Sequence, residues 1–449
     1  MRRVVVTGMG IWSCIGQDLQ TVTESLRQGR SGIGVRPERK QLGYHSLLTG
    51  IVPRPNLKPL LDRRLRNTLS EEAEYAYMAT REALTHAQID EEYCWNNVIG
   101  VIFGNDTSNG AVVDSYVGAK ETMDTFMLGS GMAFQALTSN VAMNMANIFH
   151  LRGANFTTAS ACSSGAQAIA LAAMLIQFGQ QSIMVAGGAQ ETNDKSMIAF
   201  DGVNTLSKRN DDPIHASRPF DKKRDGLIPS GGAAVLVLED YEHAVGRGAT
   251  IYAEIAGFGF SQNETPLGQP SSESEYQAMR SALQSANLAP EDIDYVNAHA
   301  TSTIAGDIAE SKALTRLFGK QGVSSPLPFT GEELCSIERP ADGRRTLSGL
   351  DSNRPFISST KSMTGHECWM AGASEAVYSI LMMQHNFVAP SINIEELDEA
   401  ARDLNIIRET REAKINTALS NSFGFGGTNC VLVFKKGGGS SKINQNDQK

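Results

Sequence analysis

The sequence of 449 residues lacks several features that would each mark a class of protein. Its six cysteines are Cys14, Cys94, Cys162, Cys335, Cys368 and Cys430. They form no CxxC pair and no metal-ligand spacing, which argues against a zinc site and a disulfide framework. The chain also has no run of roughly 18 apolar residues, the length that a membrane-spanning helix needs, and no signal peptide pattern at its start. We therefore expect a cytoplasmic protein with reduced thiols, no metal and no membrane partner.

Positively charged residues are also fewer than negatively charged ones. The chain has 40 Lys and Arg residues against 49 Asp and Glu residues, which gives a net charge of -9. This balance argues against a nucleic-acid partner, although a local basic patch could still bind an acidic protein. With 41% hydrophobic and 20% charged residues, the composition is that of an ordinary globular protein. Because single cores stop growing at about 250 to 300 residues, two units of similar size are expected.

The order of strand-like and helix-like patterns predicts an α/β fold. Short apolar runs at 98–103 and 183–186 alternate with helical periodicity such as that at 70–86. The same order returns after residue 250. Each half ends with paired glycines before a valine-rich strand, at 231–232 and again at 426–427. Coincidence could explain one such pair, but its place at both ends favours a duplication, with halves at 1–249 and 250–435.

Two further stretches fall outside this repeating order. Residues 321–355 are rich in Pro, Gly, Ser and charge, which predicts a surface insertion that serves as a lid, a partner surface or neither. Residues 436–449 carry glycines and serines followed by polar residues. This composition predicts a flexible tail.

The segment around Cys162 is the first that could perform chemistry. Small residues surround Cys162, and the apolar run 166–178 follows directly. The pattern predicts a cysteine in the first turn of a buried helix, where the amide groups and the helix dipole would favour a thiolate. The alternative is a helix start that needs small residues only to pack closely on a strand.

A second segment places His299 where a predicted strand ends. Hydroxyl residues follow it, among them Thr301 and Thr303. Loops at the carboxyl ends of strands are where α/β folds bind ligands. A purely structural histidine, with hydroxyls that cap the next helix, is the alternative.

A third segment brings His366 to the start of an apolar helix, with Lys361 shortly before it. Lys361 is either solvated or buried. If it is buried it needs a carboxylate partner, for which Glu310 and Glu375 are candidates.

The fourth segment, 419–429, combines several glycines with Phe423 and Phe425. Glycines permit unusual backbone angles and let amide groups approach a ligand closely. The alternative is a tight structural turn.

Together and in this order, the four segments resemble those of the elongating beta-ketoacyl-acyl-carrier-protein synthases, and the likeness runs from Val5 to Val433. The resemblance implies a thiolase-like fold of two duplicated halves in α/β/α/β/α layers, working as a homodimer. It also implies an acyl carrier protein as the partner. Substrates would be carried on the phosphopantetheine of that partner, and the enzyme itself would bind no cofactor.

The resemblance implies a role for each candidate residue. Cys162 is the expected nucleophile, His299 and His366 are the expected decarboxylation pair, and Lys361 is their buried partner, near Glu310. The backbone amides of Cys162 and Phe425 would form an oxyanion hole. The remaining implied residues are Thr301 and Thr303 for the pantetheine arm, Phe425 as a gate, Phe423 as a supporting residue and Thr107 in the acyl pocket.

Some positions depart from the family pattern. Ala300 stands where the family usually has glycine, and Trp369 and Met370 stand where it has small residues. Asp106 and Thr107 place polar groups in the expected acyl pocket. These departures leave open a ketosynthase of a polyketide or aryl-polyene pathway. A non-catalytic chain-length partner is a further alternative, although such partners usually lack the cysteine.

Overall fold

The computed structural model describes residues 1–319 and 354–437. The expected insertion at 321–355 and the expected tail at 436–449 lie outside the described residues, apart from their bounding positions. Within the described ranges, no helix has the length and apolar character to cross a membrane.

The described residues form fourteen strands and fourteen α-helices. The strands are β1 (Val4–Trp12), β2 (Ile33–Val35), β3 (Leu48–Gly50), β4 (Ile99–Gly104), β5 (Asn155–Thr158), β6 (Ile183–Gln190), β7 (Gly232–Asp240), β8 (Ala253–Gln262), β9 (Tyr295–Asn297), β10 (Phe356–Ser358), β11 (Phe387–Val388), β12 (Arg411–Glu412), β13 (Thr417–Phe423) and β14 (Thr428–Lys436). The helices are α1 (Leu19–Gln28), α2 (Arg63–Arg66), α3 (Glu71–His86), α4 (Glu91–Asn96), α5 (Asn109–Thr122), α6 (Met132–Gln135), α7 (Asn140–Ile148), α8 (Ser164–Gln177), α9 (Ile198–Gly202), α10 (Tyr241–Gly246), α11 (Ser272–Ser285), α12 (Ile304–Phe318), α13 (Lys361–Thr364) and α14 (Ala371–His385).

Ten strands form one mixed sheet in the order β10-β9-β13-β14-β8-β1-β7-β6-β4-β5. The sheet has an internal symmetry, because β5-β4-β6-β7-β1 in the first half corresponds to β10-β9-β13-β14-β8 in the second. In both halves the first three strands are parallel to one another, and each of the last two strands pairs antiparallel with the strand before it. Among the described strands of the sheet, the two halves pair through β1 and β8, from Val4 with Ile255 to Val6 with Ala253. The duplication that the paired glycines indicated is confirmed in this strand order.

The helices form layers on both sides of each half-sheet. Helices α8 and α14 lie in the middle, since each packs against strands of both halves and against the other. Helices α3 and α7 cover the outer face of the first half-sheet, while α11 and α12 lie outside the second. Residues Ala371 to Met383 of α14 are all buried, which explains why this helix is apolar on every face. The expected α/β/α/β/α arrangement is confirmed, and the middle layer carries the candidate site.

Candidate active site

Cys162 lies in a short 3-10 turn, Ala161–Ser163, directly before α8. Ala161 has a left-handed φ of 49°, a conformation that costs roughly 1 to 3 kcal/mol and persists only where the surroundings impose it. The Ser164 hydroxyl does so by donating to the Ala161 carbonyl at 2.7 Å, and the Ser160 amide donates to the Ser164 hydroxyl at 2.9 Å. The structure thus places Cys162 at a sharp bend at the start of a buried helix, as the sequence predicted.

The protonation state of Cys162 differs from the sequence-based expectation. Burial raises the pKa of the Cys162 thiol, and this effect outweighs the opposing backbone N–H of Phe425 and the positive charge of Lys361. The surroundings of Cys162 therefore favour the thiol rather than the expected thiolate. Helix-start amides are present, but complete burial removes the water that would solvate the anion.

The His366 ring is next to the thiol, with Nε2 at 3.0 Å from Sγ of Cys162. The backbone N–H of Cys368 donates to Nδ1 of His366 at 3.3 Å. Because Nδ1 accepts this bond, the ring proton of a neutral His366 is on Nε2. Burial, and then the charge of Lys361, hold the pKa of His366 well below its usual range, so the ring is neutral at pH 7.

The His299 ring also carries its proton on Nε2, but a different contact determines this. The Nζ of Lys361 lies 3.4 Å from Nδ1 of His299. An ammonium can only donate, so Nδ1 accepts and Nε2 of His299 carries the proton. Burial, followed by the charges of Lys361 and His366, lowers the pKa of His299 well below its usual value. The two imidazole rings are nearly perpendicular, with centroids 5.3 Å apart.

Lys361 is buried, and its ion pair is formed with Glu375 of α14. Burial raises the pKa of Glu375 to about 7, although Lys361 opposes that shift. Glu310, near which the resemblance placed Lys361, makes other hydrogen bonds. Its carboxylate accepts from the backbone N–H groups of His299 and Ala300 at 2.9 and 2.6 Å. Glu310 thus fixes the backbone that carries His299, while Glu375 neutralises the lysine.

The side chains of Cys162, His299 and His366 meet at one point, since one reactive atom from each lies within 4.8 Å of the others. They line a cavity of about 250 Å³. The ring of Phe423 packs edge-on against His299, with centroids 5.9 Å apart. Phe425 is half exposed at the cavity wall. Thr301 and Thr303 also line the cavity, and their hydroxyls are 3.0 Å apart.

Trp369 and Met370, the two bulky residues that follow His366, have different surroundings. Trp369 lines the cavity, and its Nε1 donates to the Thr107 hydroxyl at 3.3 Å. Met370 instead lies fully buried in the central core, so it does not shape the pocket as its position suggested. Ala300 has no positive φ, which explains why a glycine is not required there.

Two groups of cavity residues were missed by sequence reasoning. Met197 and Phe200 line the cavity from the segment after β6, where no motif marks them. Glu275 of α11 also lines it. The polar pattern of that helix looks solvent-facing, so no local signal in the sequence marks Glu275.

Comparison with known proteins supports the resemblance. The model named "Beta-ketoacyl synthase, N-terminal domain" matches residues 1–244, and "Beta-ketoacyl synthase, C-terminal domain" matches 252–335 and 338–395. The "3-oxoacyl-[acyl-carrier-protein] synthase 1" of Haemophilus influenzae is 38% identical over 442 residues, 97% of this chain and 99% of that protein. The "3-oxoacyl-[acyl-carrier-protein] synthase 2" of Vibrio harveyi is 34% identical, with 97% and 99% covered.

Solved structures agree. A beta-ketoacyl synthase from Burkholderia phymatum superposes with a TM-score of 0.85 and 34% identity, covering 97% of this chain and all of that one (100%). A structure described as "the ishigamide ketosynthase/chain length factor" has a TM-score of 0.82 and 26% identity, with 97% and 100% covered. The likeness runs through both halves of the chain, so the protein belongs to the beta-ketoacyl synthase family and is a condensing acyltransferase.

Proposed function

We propose that this chain is a 3-oxoacyl-[acyl-carrier-protein] synthase that joins a Cys162-bound acyl chain to a malonyl unit, with loss of carbon dioxide, in fatty acid elongation. The observation that carries the proposal is the meeting of one thiol with two neutral imidazoles, each with its proton on Nε2. A nucleophile and two hydrogen-bond donors are what a decarboxylative condensation requires.

The first step transfers the acyl chain. The Cys162 sulfur attacks the carbonyl of the carrier thioester, and the backbone N–H groups of Cys162 and Phe425 stabilise the resulting oxyanion. Collapse breaks the bond to the carrier sulfur. The proton lost by Cys162 balances the proton that the departing carrier thiol gains.

The second step forms the carbon nucleophile. The bond between the malonyl carboxylate and the methylene carbon breaks, carbon dioxide leaves, and its electron pair forms an enolate. No base is needed, because no C–H proton is removed. The Nε2–H groups of His299 and His366 donate to the enolate oxygen. Lys361 supports this role, since its charge disfavours protonation of both rings.

The third step joins the two units. The enolate carbon attacks the acyl carbonyl on Cys162, the oxyanion again meets the two backbone amides, and the Cys162 thiolate leaves. One proton from solvent restores the thiol. The product is a 3-oxoacyl chain on the carrier, longer by two carbons.

The partner that fits this chemistry is an acyl carrier protein, which delivers both substrates on its phosphopantetheine arm. Thr301 and Thr303 would bind the arm, and Phe425 would gate the entrance. We propose no resident cofactor or metal, no nucleic-acid partner and no membrane partner. A cytoplasmic location is supported by the free thiols of the cysteines in the described ranges. The division into halves at 1–249 and 250–435 remains part of this proposal.

We further propose a homodimer, in which a second copy covers the β5 edge. β5 lies at the end of the ten-stranded sheet, and its Phe156 is exposed. Exposed apolar residues also cluster on α5 and just after it, namely Val112, Val113, Tyr116, Val117, Met123, Phe126 and Met127. An unpaired edge and an apolar patch of this size favour an interface. Light scattering of Phe126→Asp with Phe156→Lys should show a monomer, and an unchanged mass would contradict the proposal.

A second candidate is a ketosynthase of a polyketide or aryl-polyene pathway. The observation that favours it is the aromatic lining of the cavity, where Phe200 and Trp369 have ring centroids 6.4 Å apart. Flat conjugated chains suit such walls better than flexible alkyl chains do. A non-catalytic chain-length partner is disfavoured, because Cys162, His299 and His366 are all present and assembled.

The proposed function is tested by incubating the protein with saturated and polyenoyl primers on carrier protein, together with malonyl-carrier protein. Intact-protein mass should show an acyl group on Cys162, and the product should gain one two-carbon keto unit. The primer that is turned over decides between the two pathways. If no primer loads Cys162, the enzymatic assignment of this site is wrong.

A further inference from the structure

Glu275 is a buried acid in the active-site cavity that the reaction described above does not use. It lies on α11, is 3% exposed and lines the same cavity as Cys162. Its Oε2 atom is buried and has no hydrogen-bond partner among the described residues. An unpaired buried polar group destabilises the folded state. Such a group therefore calls for a partner that arrives with a ligand.

The two acids nearest to Glu275, Glu310 and Asp307, have hydrogen-bond partners within the protein. Glu310 accepts three hydrogen bonds, among them one from the Asn421 amide at 2.8 Å. Asp307 accepts the backbone N–H groups of Phe220 and Ser302 at 2.9 and 3.1 Å. Both are held by the protein itself, so neither requires anything from the cavity.

The surroundings of Glu275 favour the uncharged form of its carboxyl. Burial raises the pKa of its carboxyl well above the usual value, and the nearby Glu310 and Asp307 raise it further. An uncharged carboxyl offers one O–H donor and one carbonyl acceptor. It therefore matches a neutral group with both functions, such as a secondary amide, better than a cation.

The position of Glu275 indicates which part of a substrate it meets. Its charged neighbours Asp307 and Glu310 belong to α12, which begins directly after Thr303. The apolar residues Met197 and Trp369 belong to a separate cluster around Cys162. Glu275 therefore lies toward the proposed path of the carrier arm, away from the acyl end of the cavity.

We infer that the Glu275 side chain binds an amide group of the phosphopantetheine arm. This inference rests on the proposed function, because that function brings an arm with two amides into the cavity. Glu275 would then act in binding alone. The bonds that form and break during condensation are left to Cys162 and the two histidines.

The inference is tested with Glu275→Ala and Glu275→Gln, and with Glu273→Gln as the matched control. Glu273 lies on the same helix, but its side chain is 50% exposed and pairs with Arg316. Loading of Cys162 is followed by intact-protein mass, using one acyl group on three donors: the carrier protein, free pantetheine, and ethanethiol, which has no amide. Thermal melts of each variant check that it is folded.

We expect Glu275→Ala to raise KM about tenfold for the carrier and pantetheine thioesters, with kcat changed less than about twofold. This ratio corresponds to about 1.4 kcal/mol, the scale of one hydrogen bond. Glu275→Gln should restore KM, because its amide also donates and accepts. The ethanethiol donor should not distinguish the variants, and Glu273→Gln should match the wild type with every donor.

Three results would overturn the inference: an unchanged KM in Glu275→Ala, an equal loss with the ethanethiol donor, or a Gln variant as impaired as the Ala variant. Calorimetric binding of free pantetheine gives a readout independent of turnover. If the wild type binds pantetheine through Glu275 but never loads Cys162, the proposed function fails while this inference stands. If Cys162 is loaded but the affinity for pantetheine does not depend on Glu275, this inference fails while the proposed function stands.

Discussion

The indole Nε1 of Trp369 donates a hydrogen bond to the hydroxyl of Thr107 across 3.3 Å. Thr107 follows β4 in the first half of the chain, while Trp369 follows His366 in the second. The bond therefore joins the two halves where Trp369 lines the cavity. The bond holds the Trp369 side chain in the cavity wall, because a buried indole N–H needs a partner.

Replacing that wall should change primer choice. Trp369→Gly removes the indole and enlarges the cavity at that wall. The kcat/KM for bulkier primers should therefore rise by about tenfold or more relative to that for short primers. Met370→Ala is the control, since Met370 lies in the core. It should cost about 2 to 5 kcal/mol of stability without changing the order of primers. Competition assays with mixed primers and urea unfolding measure the two effects, and an equal loss on all primers in Trp369→Gly would indicate a packing role.

The nucleophile and the decarboxylation pair should be separable. Cys162→Gln removes the sulfur but leaves an amide that resembles the acylated cysteine. Malonyl-carrier protein should then lose carbon dioxide and yield acetyl-carrier protein without condensation. Labelled carbon dioxide release measures this directly. A folded variant that binds the carrier but releases no carbon dioxide would refute the division of roles.

The histidine variants should show the opposite behaviour. In His299→Ala or His366→Ala one donor to the enolate is lost, which slows decarboxylation by about two to three orders of magnitude. Loading of Cys162 should persist, because the backbone amides of the oxyanion hole remain. Intact mass and carbon dioxide release are compared on the same sample. Normal decarboxylation in either variant would exclude that ring as a donor.

Lys361 and Glu375 should be coupled in stability. Lys361→Met leaves the Glu375 carboxyl buried without its cation, which should destabilise the fold by about 3 to 5 kcal/mol. Adding Glu375→Leu should recover part of that loss, because the uncompensated acid is gone. Urea unfolding of the two single variants and the double variant gives the coupling energy. Strictly additive effects would show that the pair does not interact.

Glu367 should make stability depend on pH. Burial raises its pKa to about 8, whereas an unfolded glutamate ionises near its ordinary value of 4.5. Between these values the native state binds more protons, so its contribution to stability falls as pH rises. Glu367→Gln removes this loss. The free energy of unfolding is measured at pH 5 and pH 8. Relative to the wild type, that of the variant should increase with rising pH, by up to about 1.4 kcal/mol for each unit of pKa shift. A constant difference would contradict the shift.

Much of the site could be predicted because its signals are local. Small residues around Cys162 and a strand that ends at His299 are properties of consecutive residues. The repeated order of elements along the chain indicated the duplicated halves, and the resemblance implied the five layers. These features depend on short-range geometry and on the resemblance, and the structure agrees with both.

The remainder depended on packing between distant segments. Nothing local decides whether Lys361 pairs with Glu310 or with Glu375, because the choice depends on how α14 lies against α13. Trp369 and Met370 are adjacent, yet the 3-10 turn Cys368–Met370 directs one into the cavity and the other into the core. The thiolate expected at Cys162 failed for the same reason, since its burial comes from residues far away in the chain.

The shared middle layer has a consequence for the origin of the chain. A single ancestral half would have left its equivalent of α8 or α14 uncovered, with an apolar surface toward water. Such a half could be stable only by pairing with a second copy of itself. The contact between α8 and α14 has the character of such an interface, but within one polypeptide. Because the two halves need not be identical, one carries Cys162 and the other carries His299 and His366.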